Sequence, residues 1–187
     1  MPREVGQFSK VPFNIFKEGI REAYERCSSN IMKEYAFYTD DDKLEEIHRN
    51  IKLPERATKR SAGYDFFYPF GETLLVPGEH IIIPTGIRVW INERLDMDWF
   101  LGIYTKSGLG FNNRIKQDDT TAIIDADYYF SDNEGHILLS MRNEHHDKTC
   151  KIGYHDKIAQ GIFQIYGITY DDNATGVRNG GFGSTSI

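Results

Sequence analysis

The chain has 187 residues, 40% of them hydrophobic and 27% charged, which suits one domain with a real core. Its formal net charge of −6 argues against an extended nucleic-acid footprint, which wants a basic face, but not against a small phosphorylated ligand, for which a few cations and backbone N–H groups suffice. Two cysteines (Cys27 and Cys150), no CxxC, no apolar h-region in Met1 to Lys10 and no apolar run near the roughly 20 residues of a membrane span exclude a disulfide framework, a signal peptide and a spanning helix, and point to a reducing, cytoplasmic setting.

From about Pro12 to Ile51 the pattern is helical. Phe16, Ile20, Tyr24, Cys27, Ile31 and Tyr35 recur at three- to four-residue steps and predict one buried helix face, with Lys17, Glu18, Arg21, Glu22, Glu25 and Arg26 on the solvated side. Thr39-Asp40-Asp41-Asp42 breaks the period and offers N-caps. A shorter helix is expected after it, burying Leu44, Ile47 and Ile51. From Lys52 onward the texture is strand and turn. Tyr64 to Tyr68, Glu79 to Ile91, Trp99 to Tyr104, Gly135 to Met141 and Lys157 to Tyr170 are rich in β-branched and aromatic residues with partial alternation. Pro69, Gly71, Pro77-Gly78, Pro84 and Asp132-Asn133-Glu134-Gly135 punctuate them. Many short strands predict a compact β barrel or sandwich. The tail from Gly176 holds four glycines and small polar residues, a composition that predicts mobility.

Five segments carry candidate chemistry. In Ser61-Ala62-Gly63-Tyr64-Asp65 a glycine before an aromatic and an acid permits close backbone approach, or simply starts a strand at a bulge. Tyr104-Thr105-Lys106-Ser107-Gly108-Leu109-Gly110 groups a cation, a hydroxyl and glycines suited to phosphate oxygens, or forms a polar β-turn. Ala122-Ile123-Ile124-Asp125-Ala126-Asp127-Tyr128 delivers two acids at the end of an apolar strand, where a carboxylate beside a cavity can activate water; alternatively the acids solvate the strand end. In Tyr154 to Phe163 a charged turn enters an apolar strand in which Gln160 needs a partner, from a ligand or from the backbone. The last segment runs from Arg178 to Ser186. Arg178 offers a bidentate fork, Phe182 a stacking face and the glycines close approach to phosphates; otherwise this is a disordered terminus.

In this order and spacing, the five segments resemble the five motifs of the homotrimeric dUTPase family, and the resemblance covers roughly Lys52 to Ser186. Leu53 to Thr58 is similar to the family's opening strand, and Phe8 to Val11 to a separated piece of it; the hairpin Tyr129 to Gly135 resembles longer variants in bacterial and phage members. The resemblance implies a mainly β fold, the dUTPase-like β-clip or distorted jelly-roll barrel, as a single domain over 1–187 with a helical insertion at 13–50 and a C-terminal arm at 176–187. It implies Mg²⁺-dependent hydrolysis of dUTP to dUMP and pyrophosphate, which keeps uracil out of DNA and supplies dUMP for dTMP synthesis. Asp125 would be the general base, Tyr128 would pack under the deoxyribose, and the strand from Asp119 through Ile123 and Ile124 would face the uracil edge. Lys106, Ser107, Gly108 and Gln160 would hold the phosphates; Phe182 would stack on uracil, with Arg178, Gly183 and Ser184 at the phosphate chain. Mg²⁺ would ride mainly on the triphosphate, with Asp65 in its outer shell through water. Three subunits would share each site, the third motif coming from a different chain than the first, second and fourth, and the arm from the remaining one.

The chain departs from the family pattern in carrying Lys106 for the usual arginine and Thr105 for proline, His155 for the glycine of the fourth motif, and Arg178 one residue nearer to Phe182 than the usual arginine. Two other readings exist. A dCTP deaminase on the same fold needs a glutamate that Leu138-Leu139-Ser140-Met141-Arg142 lacks. An interaction module would use the helical insertion to dock a regulatory protein, whereas the plainer alternative packs that insertion on its own trimer. His145-His146-Asp147 reads as a polar loop rather than a metal site.

Overall fold

A computed structural model describes residues 3–27 and 40–180. Ile31 and Tyr35 of the expected helix face lie outside them. Strand β1 (Gly6–Lys10) precedes two helices, α1 (Phe13–Arg26) and α2 (Asp41–Asn50). The remainder is mostly strand: β2 (Glu55–Arg56), β3 (Tyr64–Phe67), β4 (Thr73–Leu75), β5 (His80–Pro84), β6 (Ile87–Ile91), β7 (Trp99–Thr105), β8 (Ile115–Gln117), β9 (Thr121–Ile124), β10 (Leu138–Asn143), β11 (Cys150–Ile152) and β12 (Lys157–Ile165). A short helix, α3 (Ser107–Asn113), follows β7, and a 3-10 turn (Ala126–Phe130) follows β9.

The strands form small antiparallel sheets, in the orders β1-β6, β5-β10-β8, β11-β4 and β2-β3-β12-β7-β9. The fold is mainly β, as expected. Alternation is clearest in β6, where Ile87, Val89 and Ile91 are buried while Trp90 faces out. β5 is buried on both faces and reads as a continuous isoleucine run. The segment expected as one strand over Glu79 to Ile91 is split at Thr85-Gly86, where Gly86 has φ +68°, and a Cβ there would collide with Ile51 and Phe16. The strand expected to reach Tyr170 stops at Ile165, because its partner β7 begins opposite it at Trp99. β1, separated from the other strands by both helices, pairs with β6 from Gly6↔Ile91 to Lys10↔Ile87.

Both helices feed the same core as the strands. α1 buries Ile15, Phe16, Gly19, Ile20 and Ala23 against β5. Tyr24, expected on that face, is 40% exposed, because the stripe continues through Ala23 and Cys27 and leaves Tyr24 on its flank. Cys27 closes the helix by accepting the Ile82 N–H on Sγ. α2 starts as expected: Asp40 accepts from the Asp42 N–H at 3.1 Å, and Leu44 and Ile51 are buried. Lys10 at the end of β1 donates to the carbonyls of His48 and Arg49, satisfying the orphan acceptors and negative dipole end of α2.

Candidate active site

The candidate residues gather at the two ends of β7. Its C-terminal end is the cationic one. Asp65 on β3 stands opposite Gln160 on β12, which in turn stands opposite Tyr104 on β7, so one face of three strands presents them together. Asp65 is only 2% exposed, yet ionised, because Lys106 Nζ lies 2.6 Å from one carboxylate oxygen and Lys157 Nζ 2.8 Å from the other. Burial by itself would raise the Asp65 carboxyl; the two lysine hydrogen bonds and charges outweigh it and hold the carboxyl below the usual range. Gly63 makes room for Gln160: a Cβ there would sit 2.8 Å from the Gln160 side-chain oxygen. Lys106 ends β7 and caps α3, its N–H bonded to the Ile158 carbonyl at 3.1 Å. Ser107 and Gly108 follow, both exposed, and a Cβ on Gly108 would meet nothing within 4 Å. The chain's own packing therefore does not require glycine at 108.

One expectation changes here. The segment after Lys106 is a helical turn rather than a β-turn, ended by Arg114 in the left-handed region at φ 47°. Asp65 faces two ammonium groups, Lys106 and Lys157, rather than open solvent. Its lysine partner Lys157 was missed: in the sequence it is one charge in a polar turn, and only the pairing of β12 with β3 brings it to Asp65. His155, where the resemblance implies glycine, has φ +62°, a conformation that glycine adopts without strain. Its ring stacks on Tyr154 at 3.8 Å between centroids.

The other end of β7 is acidic. β9 runs antiparallel to β7 with Ile124 opposite Leu101, so Asp125 emerges beyond the level of Leu101. Asp125 is the N-cap of the 3-10 turn but makes no capping bond. Its carboxylate instead receives the Arg178 guanidinium, which also bonds Asp127 at 2.9 Å. Partial burial pushes the Asp125 carboxyl up; Arg178 pulls it down, and the Asp127 carboxylate adds to the rise. A carboxyl raised in this way is better matched to base catalysis near neutral pH.

Beside Asp125 lies a cavity of about 210 Å³ that brings together Asp119, Ile123, Ile124, Tyr128 and Arg178, all singled out from sequence. Ile123 is 52% exposed there while Ile124 is buried, the alternation of a strand with one open face. Tyr128 is buried, and Arg178 sits over its ring at 5.7 Å. Asp125 itself lines a second, larger cavity of about 430 Å³, but Glu93, Asp98 and Asp127 line it too, and four carboxylates repel a polyphosphate. The smaller cavity is the better nucleoside site. The expected hairpin over Tyr129 to Gly135 is instead the end of the 3-10 turn and a tight bend, with Glu134 and Gly135 both at positive φ. Phe182, Gly183 and Ser184 lie outside the described residues.

Lys106 and Asp125 are thus separated along β7 by five to six residues, on the order of 17–20 Å at about 3.3 Å per residue. A base must lie within a hydrogen bond, or one water, of its target. Among the described residues no group of three or more His, Cys, Asp or Glu side chains forms a metal site, and no helix is long and apolar enough to cross a membrane.

The dUTPase family model matches residues 49–186. The deoxyuridine 5'-triphosphate nucleotidohydrolase of Lactococcus lactis subsp. lactis (strain IL1403) is 34% identical over 139 residues, covering 72% of this chain and 88% of that protein. The crystal structure of the dUTPase from Streptococcus mutans aligns with a TM-score of 0.55 at 27% identity, over 63% of this chain and 88% of that one. A dUTPase from phage phi11 of S. aureus, whose structure concerns coordination of a structural Mg(II) ion, shares the fold with a TM-score of 0.54 at 22% identity, over 68% of this chain and 92% of its own.

Proposed function

The chain belongs to the dUTPase family, and we propose that it hydrolyses dUTP to dUMP and pyrophosphate in sites shared between copies of itself, with Asp125 as the base. The observation that carries this reading is the cavity where a strand edge at Ile123 and Ile124, the buried aromatic Tyr128 and Arg178 meet, with Arg178 bonded in turn to the Asp125 carboxylate next along the chain. The open edge of β9 meets the uracil, and Tyr128 fills the space that a ribose 2′-hydroxyl would need. Asp125 takes a proton from water as it attacks the α-phosphorus, and pyrophosphate departs with the phosphate charge spread over Lys106, Ser107, the Gly108 backbone and Gln160. Lys106 is aimed by Asp65, and that clasp offsets the fixed bidentate fork that is lost with arginine at this position. Arg178 already reaches Asp125, so the triphosphate competes with Asp125 and Asp127 for its guanidinium. Phe182 and Ser184, by the family resemblance, meet the uracil and the phosphate chain.

Mg²⁺ is carried by the triphosphate, whose charge it neutralises. Asp65, engaged by Lys106 and Lys157, orients Lys106 and stands as the outer-shell partner through water. The separation of Lys106 from Asp125 supports sharing: phosphates held at Lys106 are out of range of the same chain's Asp125, so the base comes from a second copy, in keeping with a homotrimer.

The test is a nucleotide panel followed by complementation. Asp125→Asn and Lys106→Ala should each lower dUTP hydrolysis by about 100-fold or more. Co-expressed, they should recover part of the parental rate, because a mixed oligomer contains sites with both native groups. Recovery no greater than the sum of the two variants would overturn the shared site, and Asp125→Asn at the parental rate would overturn the mechanism.

A further inference from the structure

We infer that Asn133 and His136 are positioning residues for Tyr128, and that helix α1 holds them in place, so that this chain's helical segment takes part in rejecting ribonucleotides. The inference rests on the role given to Tyr128 above.

The Tyr128 hydroxyl is tethered twice. It donates to the His136 carbonyl at 2.7 Å and accepts from Asn133 Nδ2 at 2.8 Å. The same Nδ2 lies 3.1 Å from the His136 carbonyl, and Asn133 Oδ1 accepts from Ser131 Oγ at 2.8 Å. A phenol satisfied in both senses and buried cannot slide along the pocket without leaving a polar group unpaired.

The tether is itself clamped from outside. The His136 imidazole is buried, and its Nε2 accepts the Gly86 N–H at 2.9 Å, so the proton is on the other nitrogen, which is bonded to the Ile15 backbone of α1. α1 rests on the ring through Gly19, where a Cβ would fall 2.6 Å from His136 Nδ1. Phe16 of the same helix lies 6.2 Å from the ring centroid. Beside this narrow contact is a cavity of about 220 Å³ between Ile15, Glu18 and Glu22 of α1 and Asp132 and Asn133 of the bend. The tether therefore has room to move outward if the Gly19 contact is lost. α1 also lies before residue 49, where the family match begins, so the clamp is additional to the matched fold.

Exclusion of a 2′-hydroxyl depends on ring position at the scale of an ångström or less, because the rejected group is one oxygen atom. Selectivity between dUTP and UTP is thus the readout that the clamp should move, whereas selectivity between dUTP and dCTP is set at the β9 edge and should not move.

The experiment measures kcat/KM for dUTP, UTP and dCTP on the full chain and on Tyr128→Phe, Asn133→Ala and Gly19→Ala. Tyr128→Phe and Asn133→Ala should lower the dUTP-to-UTP ratio by roughly 10-fold, equivalent to about 1.4 kcal/mol. Gly19→Ala, which displaces the imidazole, should lower it by about 3-fold or more, and all three should keep the dUTP-to-dCTP ratio. An unchanged dUTP-to-UTP ratio in Tyr128→Phe and Asn133→Ala would overturn the tether, and an unchanged ratio in Gly19→Ala would overturn the part played by α1. A parallel fall of both ratios would reduce the network to general stability and overturn the inference. A parent chain that does not turn over dUTP would instead refute the proposed function.

Discussion

The two ends of β7 handle charge in opposite ways. At the Lys106 end one buried carboxylate, Asp65, is clasped by two lysines, leaving a local excess of positive charge beside an exposed serine and glycine. At the Asp125 end two carboxylates share one guanidinium from the tail, leaving an excess of negative charge beside the cavity at Ile123 and Tyr128. The difference teaches a division of labour. Phosphate recognition benefits from a cation aimed in advance by a buried partner, while a base must keep a carboxylate free enough to accept a proton. Placing both on one end would let Lys106 neutralise Asp125; the sheet keeps them apart, as the proposed sharing of sites between copies requires.

Acid should separate the two ends most strongly. Burial lowers the His136 imidazole from 6.5 to about 3. The folded chain keeps it neutral while the unfolded chain takes up a proton below pH 6.5, so stability is full above that pH and falls as pH drops toward 3, by about 1.4 kcal/mol per unit for this one proton. The Asp65 carboxyl is lowered too, but from an ordinary value of 3.8, so its contribution is also lost in acid yet persists until pH falls through the carboxylate range, well after the His136 loss has begun. Chemical denaturation across pH 3 to 7 should show the loss beginning near pH 6.5, and a flat profile from 7 to 4 would remove His136 from that account.

Asp65→Ala should come next. It leaves two lysines without their partner, but both ammonium groups can reach solvent, so a loss of about 1–2 kcal/mol is expected, below that of a fully buried pair. The KM for dUTP should rise more than kcat falls, since Lys106 loses its aim. A fall in kcat alone would contradict the phosphate-binding role of that end.

Arg178→Ala should have the smallest effect on stability and a diagnostic one on pH dependence. Arg178 lowers the Asp125 carboxyl, so its removal raises that carboxyl further, and the acid limb of kcat/KM should move to higher pH. A limb that stays in place would mean that the guanidinium does not meet the base in the working enzyme.

Much of the molecule was legible from local pattern. The Asp40 cap, the burial of Leu44 and Ile51, and the central strands follow from side-chain type and period alone, because those are interactions between residues a few positions apart. The five motif segments were legible too, since each is a short run of glycines, cations or acids. Tyr24 escaped because a step of three and a step of four both fit an apolar stripe, and only packing against β5 chose Ala23. Lys157 escaped because its partner is on another strand, and Asn133 and His136 because a backbone carbonyl and a buried imidazole have no sequence signature. The sequence by itself determined which residues have the chemistry: a carboxylate at Asp125, cations at Lys106 and Arg178, an aromatic at Tyr128. Only the tertiary structure decided which of them face each other, because strand register places Lys106 beside Asp65 across 41 residues of chain while it holds Asp125 at the far end of the same sheet.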